Sequence, residues 1–176
     1  VYSAFGFSYI IFIQFFSAYL INEAGIGVEK AGQYFMLLGF LSIFCGLIWG
    51  TVSDFIGRKY GLALVFLVQG TAYLIFGLLK GSPGHLLATI LFGITAWAIP
   101  TIMAAAVGDT MGSRISPAAL GFATLIFGIG QSLSPPIAGK IADWSGSFTY
   151  AFILAAGVAY LGMIGSLAIR KSPIKS

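Results

Sequence analysis

Charge is what this sequence has least of: nine Lys and Arg and five Asp and Glu among 176 residues, or 8% of the chain. Soluble domains carry about 25%, so an ordinary water-soluble domain is excluded. Cysteine is nearly absent as well. Cys45 alone cannot form an intrachain disulfide, so cysteine usage does not reveal the redox compartment. Its neighbours Ile43, Phe44 and Leu47 are apolar, and plain packing is its expected role, with no reactivity. The single histidine, His85, provides no histidine cluster for a metal and is expected to be a solvated cap at the start of an apolar run. Neither a catalytic triad nor a phosphate-binding loop occurs, so no catalytic residue, metal or cofactor is expected, and the protein is not read as an enzyme. The formal net charge of +4 comes from basic residues scattered singly or in pairs between apolar runs. Such residues suit the flanks of membrane spans, and no nucleic-acid partner is expected. Residue 1 is Val and apolar sequence starts at once. The chain is therefore read as a fragment or processed piece.

What is present is apolar length. Hydrophobic residues make up 59% of the chain, and they fall into six segments, about 2–22, 30–52, 60–79, 84–107, 117–141 and 148–170. A bilayer core about 30 Å thick requires roughly 20 such residues at 1.5 Å per residue. Helices are expected because backbone exposed to lipid must satisfy its own hydrogen bonds, and strands of a barrel would alternate over about ten residues instead. Loops are expected at Asn22–Glu29, Ser53–Lys59, Lys80–Gly84, Gly108–Ser116 and Trp144–Ser147, each too short for a separate domain. The fold class is thus an all-α membrane protein, one six-helix bundle over 1–176. Arg58, Lys59, Arg114, Arg170, Lys171 and Lys175 fall on one side, against Lys30, Lys80 and Lys140 on the other. The excess places the first group, and both termini, in the cytoplasm.

The sequence also repeats itself. A shift of 89 residues lays Gly32, Gly39, Gly50, Asp54 and Gly57 on Gly121, Gly128, Gly139, Asp143 and Gly146. Close to that shift, Phe5-Gly6-Phe7-Ser8 answers Phe92-Gly93-Ile94-Thr95. Three spans separate each equivalent pair, and an odd number reverses direction through the membrane. The two triplets are therefore inverted, an arrangement found in secondary transporters.

One copy of the repeated pattern is fuller than the other: Gly50-Thr51-Val52-Ser53-Asp54-Phe55-Ile56-Gly57-Arg58-Lys59. It resembles the Gly-x-x-x-Asp-x-x-Gly-Arg-[Lys/Arg] signature of the major facilitator superfamily, carried in a cytoplasmic loop between helices. Physically, Gly50 allows two helices to approach closely, and Gly57 can take the positive φ of a tight turn. Asp54, at a helix end, can accept from the first amides of a neighbouring helix, and Arg58 and Lys59 can pair with it or with anionic lipid. The resemblance implies a gating latch between two six-helix halves. Alternatively, Asp54 is only a cap and Arg58 and Lys59 only topology anchors.

A second stretch, Gly128-Ile129-Gly130-Gln131-Ser132-Leu133-Ser134-Pro135-Pro136-Ile137-Ala138-Gly139, looks like the eleventh helix of facilitators of the monocarboxylate and oxalate/formate type and of bacterial members without an assigned substrate. Proline within a span frees backbone carbonyls, which makes Pro135 and Pro136 a candidate hinge or an ordinary kink. N-terminal halves of the family usually carry an arginine motif in their fourth helix, and His85–Val107 has no arginine. The resemblance therefore implies helices seven to twelve, with an N-terminal six-helix half, or a second copy, as partner. It also implies residence in a bacterial inner (plasma) membrane.

By the same resemblance, spans one, two, four and five line a central cavity, while spans three and six stand outside as support. Gln14 and Gln131 lie midway along lining spans. Tyr9, Trp97 and Thr101 could complete the wall around a small polar solute. Helix-to-helix hydrogen bonding, at about 0.6 kcal/mol, is the other use for such glutamines, and lipid or packing faces the other use for the rings. Gln69 belongs to the third span and is left out. No ionisable residue falls at the middle of a predicted span, so any proton-coupling carboxylate is expected elsewhere in the transporter. The expected function is alternating-access transport of a small solute, a small organic anion by the resemblance of the fifth span. The rivals are a drug or amphiphile exporter, a pore, which would need a polar stripe this sequence lacks, and a non-transporting membrane scaffold.

Overall fold

The computed structural model describes residues 1–169, except for the side chain of Arg114. Three of the six basic residues counted on the cytoplasmic side, Arg170, Lys171 and Lys175, lie outside the described residues. The helices are α1 (Tyr2–Asn22), α2 (Val28–Ile56), α3 (Arg58–Leu78), α4 (Ser82–Gly93), α5 (Ala98–Ser145) and α6 (Thr149–Leu167), with no strand among the described residues. They make six spans long and apolar enough to cross a membrane: α1, α2, α3, Ser82–Gly112, Arg114–Ser145 and α6.

Two of the expected boundaries differ. The loop expected at Gly108–Ser116 is a single break within α5, at Gly112 (φ 69°, ψ 168°). Ser116 secures that break by donating to the Gly112 carbonyl at 2.6 Å. The Ser53–Lys59 loop likewise shrinks to Gly57, whose φ of 94° ends α2 and lets α3 begin at the next residue. That conformation is costly for any residue with a Cβ, so glycine is required there.

The fourth span, expected to run unbroken over 84–107, is instead two helices. α4 stops at Gly93 and α5 starts at Ala98, with a turn between them close to the middle of the span. The signal was Pro100. It stands third in the new helix, where its missing N–H would have had no helical partner, whereas inside a continuous helix its ring would clash with the carbonyl of Ala96.

Packing follows the inverted repeat. On α1, Gly6 meets the fifth span so closely that a Cβ would collide with the Phe127 carbonyl oxygen, and Gly130 meets Ser3 in the same way. On α4, Gly93 packs on α2, where a Cβ would lie 3.0 Å from Leu41 Cβ. Exchanging the two triplets converts one crossing into the other. Span three pairs with span six across the same pseudo-symmetry: Thr71 and Tyr160, 89 residues apart, share a hydroxyl hydrogen bond of 3.3 Å. Close crossings through small residues are what joins helices in lipid, where burial against another helix offers little over lipid itself.

The core of the bundle is aromatic. Phe12 on α1 is surrounded by Phe16, Tyr73, Phe76, Phe92 and Phe152, with ring centroids 4.3 to 5.9 Å away. These rings join α1, α3, α4 and α6. The third span, expected to stand outside, is the most enclosed, with 61% of its apolar window buried. At the other extreme are α2 at 17% and the fifth span at 6%.

Candidate functional site

At the α2–α3 junction, Gly57 turns the chain so sharply that Arg58 projects back over the last turn of α2. Its Nη1 lies 2.5 Å from Asp54 Oδ1 and donates to Ser53 Oγ at 2.7 Å. Its Nε donates to Asp109 Oδ2 at 2.8 Å, which ties the turn to the end of the fourth span. Arg58 is a quarter exposed and both carboxylates are more than half exposed, so the triad is wet and within reach of salt. Lys59 lies over the Tyr60 ring, 4.7 Å from its centroid.

Of the uses open to Asp54, the structure shows the pairing with Arg58, and α3 begins without a side-chain cap. Gly50 was expected to permit a close helix approach, yet a Cβ there would sit 3.7 Å from Thr101 Cγ2, an ordinary contact. The tight approach near this turn is at Gly61, where a Cβ would lie 2.7 Å from Ser53 Cβ. Asp109 lies in the stretch expected as the Gly108–Ser116 loop and was given no role. Nothing in the local pattern marks it, because its partner is 51 residues away.

The opposite end is fastened differently. Gly146, the repeat counterpart of Gly57, also has positive φ (71°). Ser147 follows it and donates to Glu23 Oε2 at 2.5 Å, while Phe148 N–H donates to Glu23 Oε1 at 2.7 Å. Glu23 thus ties the end of α1 to the start of α6. Beside it opens a cavity of about 160 Å³ lined by Tyr19, Glu23, Lys80, His85 and Ser147. His85 is no solvated cap: it is 1% exposed, and neither ring nitrogen has a partner among the described residues. Its ring stands edge-on to Tyr19 and Phe76.

Of the expected cavity residues, the structure brings together Tyr9, Trp97 and Thr101. The Tyr9 and Trp97 rings lie 5.5 Å apart, and Thr101, one turn into α5, donates to the Trp97 carbonyl at 2.9 Å. Trp97 is 49% exposed. Gln131 is half-buried on the fifth span beside Gly6. Gln14 is exposed on α1. Neither glutamine side chain has a hydrogen-bond partner among the described residues, which leaves the helix-to-helix use of them unsupported. Pro135 and Pro136 lie in helix that continues through both, and the departures from helix fall at Gly112 and before Ala98.

Three residues given no site role gather around the broken fourth span. Trp49 Nε1 donates to the Ile94 carbonyl at 2.7 Å. Gln69 Nε2 donates to the Thr95 carbonyl at 2.9 Å. Cys45, assigned only to packing, accepts from Trp97 N–H at 3.1 Å. Among the described residues, no group of His, Cys, Asp and Glu could hold a metal ion.

The chain resembles known transporters along nearly its whole length. A family model described as an uncharacterised MFS-type transporter, YbfB, matches residues 1–167. The hexuronate transporter of Bacillus subtilis (strain 168) is 27% identical over 181 residues, covering 94% of this chain and 42% of that protein. Monocarboxylate transporter 12 of Homo sapiens is 27% identical over 143 residues, 77% of this chain and 28% of the relative. Monocarboxylate transporter 2 of Meriones unguiculatus is 27% identical over 158 residues, 86% of this chain and 32% of the relative. The chain spans less than half the length of these relatives.

Proposed function

Because this chain belongs to the major facilitator superfamily of MFS-type membrane transporters, we propose that it is the C-terminal six-helix half of a carrier that moves a small organic anion by alternating access. The observation that carries this reading is the imbalance of burial. Spans two and five, exchanged by the inverted repeat, are left only 17% and 6% buried, and the repeated glycines Gly32, Gly39, Gly121, Gly128 and Gly139 have nothing within 4 Å of where a Cβ would be. Two small-residue faces without a partner suit a second six-helix half, of the same transporter or of another copy, packed against them in more than one arrangement. An alternating carrier needs two such arrangements separated by only a few kcal/mol.

In this reading the Arg58 end faces the cytoplasm and Gly50, Asp54, Gly57, Arg58 and Lys59 form the latch. Tyr9, Trp97, Thr101, Gln14 and Gln131 line the solute path. Hexuronates and monocarboxylates both bear a carboxylate, and the relatives that carry those names support an organic anion as cargo. The test is uptake of radiolabelled lactate and glucuronate into vesicles containing the complete transporter. Asp54→Asn is expected to slow the favoured solute about tenfold or more, the scale of a 1–3 kcal/mol coupling, without reducing the protein inserted. An unchanged rate removes the latch from the mechanism.

A further inference from the structure

A helix broken in mid-membrane leaves backbone groups that lipid cannot satisfy, at a cost of several kcal/mol each. A continuous helix would satisfy them without help. Here two side chains from α2, Cys45 and Trp49, supply partners for the Trp97 N–H and the Ile94 carbonyl at 3.1 and 2.7 Å, and Gln69 on α3 donates at 2.9 Å to the Thr95 carbonyl, which also accepts from Ala98 N–H. Cys45 and Trp49 stand one helical turn apart and so share a face of α2. All three are buried, so the break is specified from both sides rather than left loose.

Irregular backbone at this depth is tolerated where it is enclosed by protein or lines a cavity. Its back is held against α2 and α3. Its front presents Trp97, half exposed, with Tyr9 and Thr101 beside it. Behind the turn, Gln69 Oε1 is fully buried with no hydrogen-bond partner among the described residues.

We propose that the turn between Gly93 and Ala98 is the solute-contacting wall of this half, and that Cys45, Trp49 and Gln69 are positioning residues that fix it so that Trp97 faces the solute. The inference rests on the carrier reading above. Its chemistry is that of a flat apolar surface for the body of a small organic anion, fixed by a staple that never touches the solute.

Two measurements on the complete transporter test it. Amide exchange of the 94–99 segment reads the staple without any need for transport: Cys45→Ala is expected to speed it about tenfold or more, while Cys45→Ser, which keeps an acceptor, stays close to wild type. Uptake of lactate and glucuronate reads the consequence: Cys45→Ala and Gln69→Leu are expected to raise KM about fivefold or more with the maximal rate within about twofold, and Cys45→Ser to restore KM. Unchanged exchange in Cys45→Ala overturns the staple whether or not the protein is a carrier. Faster exchange with unaltered KM overturns the assignment of the turn as the solute wall and leaves the carrier reading intact. If wild-type vesicles take up neither acid, the carrier reading fails and the solute wall fails with it, while the exchange data still decide the staple.

Discussion

The two ends of the bundle each turn at a glycine of positive φ but are fastened by different chemistry. At one end Gly57 is followed by Arg58, which reaches Asp109 at the end of the fourth span. At the other Gly146 is followed by Ser147, which reaches Glu23 at the end of the first. The first and fourth spans exchange under the repeat, as do Gly57 and Gly146, so these are one contact made twice with different side chains. The Arg58 end is an ion pair in which one guanidinium serves two carboxylates. The Glu23 end is a carboxylate accepting from a hydroxyl and from a backbone N–H at the start of α6. Charge holds the first, and helix capping holds the second. The inverted repeat therefore preserves the connection between elements while leaving its chemistry free to diverge.

Arg58→Ala breaks the comparison most severely. It removes the cation shared by Asp54 and Asp109, and transport is expected to fall by about tenfold or more. Because exposed pairs contribute only about 0.2–1 kcal/mol, thermal unfolding in detergent should change little. Loss of transport with no loss of stability is the signature of a fastening that matters in motion. If the variant instead unfolds early while its rate per folded molecule is normal, the Arg58 end is merely structural. Glu23→Ala should do the reverse. It strips the acceptor from the α6 N-terminus and is expected to lower stability by about 1 kcal/mol, the scale of a lost cap, with a smaller effect on rate. Glu23→Gln keeps one acceptor oxygen and should fall between Ala and wild type. Equal behaviour of Gln and Ala in the melting curves would mean that charge, not capping, holds this end too.

Most of the frame was legible because the constraints that set it are local. Six apolar runs require six spans, and the glycine register required an inverted pair, since an odd number of crossings reverses direction. The Gly57 turn could be read because only glycine tolerates its φ. What escaped was whatever depends on partners distant in sequence. Asp109 carries no mark of the arginine 51 residues earlier. Cys45 and Gln69 look like inert fill until the fourth span is seen to break beside them. Pro100 did announce that break, but it lies inside an apolar run, where the length of the run outweighed one proline. His85 was misjudged for a similar reason: the start of a span suggests water, yet Tyr19 and Phe76 enclose this one.

The smallest effect is expected at Asp143, the repeat counterpart of Asp54, and it sharpens the comparison because a null result is informative there. Asp143 is exposed and forms no ion pair or side-chain hydrogen bond among the described residues. The residue four positions on, where Arg58 follows Asp54, is Ser147, and that hydroxyl is directed to Glu23. Without a cation to serve, the carboxylate has only solvent. Asp143→Asn should therefore leave stability within about 0.5 kcal/mol, the ordinary range for a surface substitution, and transport close to wild type. Measured beside Asp54→Asn in the same vesicles, the pair separates two causes. If the acidic residue matters through the glycine-bracketed pattern that both copies share, the two variants are slowed alike. If it matters through Arg58, only Asp54→Asn is slowed, and the geometry of the two turns favours that outcome.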